Sequence, residues 1–167
     1  MKPIHSFTLL LLLNFVTGCQ PDNPKPNESE TTVMEHNDSQ HEYSLTEGEF
    51  RIEGAWARVG MQGGMSAAYF TIANGLETDD VLLGAISSLA ESTEIHETYE
   101  AGEGMMGMRQ RPSLPIPSKS VTEFKQGGLH VMFIRLTEEL KEGDEVQFIL
   151  QFEQAGEVFV TAPVRMR

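Results

Sequence analysis

Leu129-His130-Val131-Met132-Phe133-Ile134-Arg135-Leu136 is the stretch on which the fold turns. It is short, follows the turn signal Gly127-Gly128, and is rich in β-branched and aromatic residues, a combination that reads as a β-strand. Successive side chains of a strand alternate between faces, so His130 and Met132 point the same way.

Working outward, the same pattern recurs. Phe50, Ile52 and Trp56 fall mostly on even steps from Glu49 onward. Strands are predicted over Ala67 to Ala73, Val81 to Ile86, Thr93 to Tyr99, Val121 to Phe124, Val146 to Phe152 and Val158 to Val164. Turn signals separate them: Asn74-Gly75, Gly102 to Gly107, Pro112 to Pro117, Glu142-Gly143-Asp144 and Ala155-Gly156. Many short strands without a long helical period indicate an antiparallel sandwich or barrel. Met61 to Met65 reads as an irregular connection, and Gly102 to Met108 as a glycine- and methionine-rich loop.

The first third of the chain differs. Lys2 and the apolar run Phe7 to Val16 form a secretory leader, too short for a membrane span of about 20 residues. It ends in Val16-Thr17-Gly18-Cys19, which resembles a bacterial lipobox, with Cys19 the lipidated residue. Residues 20 to 48 are acidic and proline-bearing, with Tyr43 their only aromatic, and are expected to form a disordered tether. The expected division is a signal peptide over 1–18, a lipidated cysteine and tether over 19–48, and a β-domain over 49–167. His36 and His41 read as solvated tether residues, the alternative being a weak accessory metal site with Met34.

The formal net charge is −13, with 25 acidic against 12 basic residues. Nucleic-acid binding needs a basic footprint, and peripheral binding to anionic lipid needs cations; both are excluded as expectations. No Ser/His/Asp arrangement, phosphate-binding glycine loop or acid/base carboxylate pair stands out, so the chain is expected not to be an enzyme. Glu94 and Glu97, flanking His96, read as surface carboxylates.

The chemistry lies in His96, Met108, His130 and Met132. Two imidazoles and two thioethers suit a soft ion, Cu(I), better than magnesium or calcium. Zinc sites prefer thiolate or carboxylate partners. Cys19 is the only cysteine, so the Cys-containing electron-transfer copper site is ruled out. Met105 and Met106 are candidate auxiliary ligands.

The ordered set Glu94-Ile95-His96-Glu97, Met106-Gly107-Met108-Arg109 and Gly128-Leu129-His130-Val131-Met132 resembles the PCuAC periplasmic copper chaperones. Their pattern is a His, ten residues, a Met, twenty-one residues, then His-x-Met. Here 21 residues separate Met108 from His130 and 11 separate His96 from Met108. The third ligand is therefore Met108, which keeps the downstream spacing, or Met106. The resemblance covers about residues 50 to 166, including Ala67 to Asn74 and Pro115-Ile116-Pro117.

It implies an all-β, cupredoxin-like antiparallel Greek-key β-sandwich holding one Cu(I) at an exposed edge. It also implies delivery towards cytochrome c oxidase subunit II, with a Sco-type thioredoxin-like protein as co-worker. A copper buffer or resistance protein and a metal-free structural lipoprotein are the alternatives. The expected place is the periplasmic face of a bacterial membrane. Gln20 stands where inner-membrane retention would use Asp, giving the outer membrane as the expectation in a Gram-negative cell.

Overall fold

The computed structural model describes residues 45–166. The lipobox at Cys19, most of the tether, and Met34, His36 and His41 lie outside the described residues.

Ten strands follow in order: β1 Phe50–Arg58, β2 Met65–Asn74, β3 Asp80–Ile86, β4 Ala90–Gly102, β5 Met105–Gln110, β6 Leu114–Ile116, β7 Ser120–Phe124, β8 Leu129–Leu136, β9 Glu145–Phe152 and β10 Glu157–Arg165. No helix occurs among the described residues. The fold is all-β, as the alternation and turn spacing lead one to expect, and cupredoxin-like, as the family resemblance implies.

One layer runs β5-β4-β8-β2-β1, with β7 also on β2; the other runs β10-β9-β3-β6. A two-residue parallel pairing, Ala57 with Val164 and Arg58 with Arg165, joins the layers at β1 and β10. A second parallel contact links β7 to β8, and the remaining ladders are antiparallel. The layers face each other through aromatic rings. Phe148 of β9 lies 5.8 Å from Phe70 of β2 and 5.7 Å from Phe133 of β8, between centroids. Phe50 meets Phe152 edge-on at 4.9 Å. Ile72, Leu82, Val131, Val146 and Leu150 complete a fully buried interior.

Asn74 is a polar member of that interior, with no exposed surface. Its Nδ2 donates to the carbonyls of Thr78, Ile116 and Pro117, and its Oδ1 accepts from Leu76 N–H. It therefore satisfies backbone groups where β2 turns towards β3. Next to it, a Cβ at Gly75 would stand 1.9 Å from the Thr46 carbonyl oxygen, so only glycine fits.

The structure corrects two sequence readings. Gly102 to Met108 is not a loop: β4 continues to Gly102 and β5 begins at Met105. The two connecting residues, Glu103 and Gly104, have φ of 52° and 75°, as in the tight hairpin turn whose twist matches the flanking strands. Met105-Met106-Gly107-Met108 carries no polar/apolar alternation, so composition gave no strand signal there. The second is β6, inside the proline-rich 112–117 segment. It is a sheet-edge strand, where proline is tolerated because its missing N–H can face away from the neighbouring strand and costs no ladder hydrogen bond.

Candidate metal centre

Register, rather than proximity in sequence, assembles the site. β4 and β8 pair so that His96 faces His130 directly and Glu94 faces Met132. Across β4, β5 pairs Thr98 with Met108 and Glu100 with Met106. Cross-strand partners share a face, and so do residues two apart. His96, His130, Met132, Met108 and Met106 therefore project from one side of the first layer.

The His96 and His130 rings are 5.9 Å apart between centroids. They end a row of rings crossing four strands. Trp56 of β1 pairs with Tyr69 of β2, ring centroids 4.6 Å apart, and Tyr69 lies 6.3 Å from His130. This row helps bury His130, which retains only 5% of its surface.

Each imidazole is oriented by a hydrogen bond. His130 Nδ1–H donates to the Gly128 carbonyl at 3.0 Å. A carbonyl only accepts, so Nδ1 carries the proton and Nε2 keeps a lone pair. Burial pushes the His130 pKa down, partly opposed by the Gly128 hydrogen bond, and a charge on His96 lowers it further; the neutral, metal-binding form is favoured. His96 Nε2–H donates to Glu94 Oε2 at 2.8 Å. The hydrogen bond from His96 holds the Glu94 carboxyl below the ordinary carboxylate range. His96 Nδ1 is buried without a hydrogen-bond partner, the orphaned acceptor that a metal would satisfy. Such oriented imidazoles recur around metals, where a carboxylate or carbonyl holds the far nitrogen.

Met108, His130 and Met132 line a single open cleft with Arg58, Val59, Met65, Ala67, Tyr69 and Thr98 among the other lining residues. Met105 and Met106 are exposed and do not line it. Of the two candidates for third ligand, Met108 is thus the one in the cleft. Between His96 and Met108 the register shifts between Glu100 and Gly102, which leaves Ala101 as a bulge and the pairing below it intact. Among the described residues no three His, Cys, Asp or Glu side chains converge on one point.

Two contributors escaped the sequence reading. Glu94 is a partner of His96 rather than an idle surface carboxylate; its position two residues away on one strand was the available signal. Met65, read as part of an irregular connection, opens β2 and enters the cleft. No local pattern marked it, because its face is set by pairing with β8.

Comparison with known proteins places this geometry. Residues 50–164 match the sequence profile of the LpqE-like lipoproteins. A protein of Leifsonia xyli subsp. xyli named as a lipoprotein, Lxx21020, is 27% identical over 115 residues, covering 69% of each chain. The copper-bound PCuAC domain from PmoF2 superposes with a TM-score of 0.58 at 25% identity, covering 76% of this chain and 99% of its own. The apo PCuAC domain from PmoF1 gives 0.58 at 25% identity, covering 76% and 100%. The solution structure of CuI-DR1885 from Deinococcus radiodurans gives 0.53 at 30% identity, covering 68% and 78%.

Proposed function

The chain belongs to the LpqE-like lipoprotein family and has the PCuAC fold, and on that premise we propose that it is a non-enzymatic extracytoplasmic carrier of Cu(I). The observation that carries this reading is the pairing of His96 with His130 across β4 and β8, with Met132 and Met108 on the same face. In this reading these four side chains hold the ion: His130 through Nε2, His96 through Nδ1. Two neutral nitrogens and two neutral sulfurs leave a single positive charge and no thiol to oxidise. Relatives that are copper-bound or CuI forms of the same fold support the choice of metal.

Copper is the cargo here, and its release proceeds by ligand exchange with an acceptor docked over the open cleft. The acceptor we propose is the copper centre of cytochrome c oxidase subunit II, reached directly or through a Sco-type protein. Lipidation at Cys19 would hold the domain at the periplasmic face of a bacterial membrane. Competition against a Cu(I) chelator tests the site: the double variant His130→Ala with Met132→Ala should weaken binding at least about tenfold, and unchanged binding would overturn the assignment. Oxidase activity in a deletion strain tests delivery. It should fall and be rescued by added copper; full activity without the protein would refute an oxidase acceptor.

A further inference from the structure

The cleft contains one thioether that the carrier site does not use. Met65 stands at the start of β2, whose register sets Met65 against Ile134 and Ala67 against Met132. Met65 and Ala67 share the face of Met132, so Met65 is the diagonal neighbour of Met132 across one strand gap. Diagonal neighbours of this kind lie within reach of each other when the side chains are long. Both line the same cleft. Between them, on the β2 side, Ala67 is a single methyl group and leaves the space above it open. Met65 is 60% exposed, whereas Met132 is half-buried.

We propose that Met65 and Met132 form a transit site at the outer end of the cleft, through which Cu(I) enters and leaves the His/Met site. This rests on the Cu(I) reading above. Thioethers are soft, neutral and flexible donors. In exchange, the incoming Met65 sulfur forms its bond to copper as an inner ligand lets go; the ion stays Cu(I) and no electron moves. With 60% of its surface exposed, Met65 is open to exchange with a donor or acceptor, which suits the position to passage rather than rest. The Met61-Gln62-Gly63-Gly64-Met65 connection thereby gains a role in placing Met65, through a turn closed by Gly64 N–H on the Met61 carbonyl.

A site used only in passage must change the forward and reverse rates by the same factor and leave the equilibrium alone. The experiment follows uptake from, and release to, the Cu(I)–bicinchoninate complex by stopped flow, alongside equilibrium competition. Met65→Leu keeps size and apolarity but removes the sulfur. Met61→Leu is the control, since Met61 is exposed but lies outside the cleft lining. Met65→Leu should slow both directions about fivefold or more with affinity within about twofold of the parent; Met61→Leu should match the parent. Parental rates in Met65→Leu overturn the proposal while leaving the carrier site standing. A selective loss of affinity makes Met65 a resident ligand and also overturns it. Failure of the parent itself to take up Cu(I) removes the carrier reading and this inference with it.

Discussion

Glu94 accepts hydrogen bonds at both carboxylate oxygens, from His96 Nε2–H at 2.8 Å and from the Ser92 hydroxyl at 3.0 Å. The carboxylate is thus held from two sides, and the imidazole it holds has one rotational choice left. Its Nδ1 lone pair is the only free one, and that atom has no hydrogen-bond partner. Outer partners of this kind typically affect metal affinity by about 10- to 100-fold when removed. Glu94→Ala is therefore expected to weaken Cu(I) binding about tenfold in chelator competition. Glu94→Gln, whose amide oxygen still accepts, should recover most of the loss. Equal affinities for all three proteins would show that Glu94 does not position His96.

The β4–β5 hairpin is the element that brings Met108 to the histidines. Its far face is held by Glu97, whose Oε2 accepts from Arg109 and Arg111 at 2.7–3.0 Å, and by the Arg109 guanidinium over the Tyr99 ring at 4.9 Å. Tyr99 lies close over Gly107, where a Cβ would stand 2.8 Å from the ring. Beyond Glu100, Ala101 bulges out, and the pairing from Thr98–Met108 downward is undisturbed. Deleting Ala101 should remove the bulge and keep the Glu103-Gly104 turn. The expected result is Cu(I) affinity within about threefold of the parent. A drop comparable to that of the His130/Met132 double variant would mean that the bulge itself sets the Met108 position.

This hairpin also marks where sequence stops being informative. Alternation alone placed His130 and Met132 on one face, because both belong to a single apolar strand bounded by Gly127-Gly128. The ranges of β8 and β2 were legible for the same reason. Met108, a ligand candidate from its spacing, was wrongly read as a loop residue, since glycine and methionine have no strand signature. The facing of His96 and His130, the entry of Met65 into the cleft and the short β6 depend on pairing between distant strands. Those are properties of register, which a local pattern does not encode.

At the scale of the molecule, one layer of the sandwich carries the site and the other supports it through the Phe70, Phe133 and Phe148 rings. Binding to a folded site stabilises the fold, by about 2.7 kcal/mol when free ligand is a hundredfold above its dissociation constant. For a domain of about 120 residues this raises the melting temperature by roughly 10 °C. Thermal unfolding in chelator-buffered Cu(I) should show that shift in the parent and lose it in the His130→Ala, Met132→Ala variant. An equal shift in the variant would place the stabilising ion elsewhere. The central claim is the identity of the donor set, and copper X-ray absorption on the protein loaded with one equivalent of Cu(I) reads it directly. The account predicts a shell of two nitrogen and two sulfur donors, which falls to nitrogen alone when Met108 and Met132 are both replaced by leucine; a parental shell of nitrogen and oxygen without sulfur would contradict it.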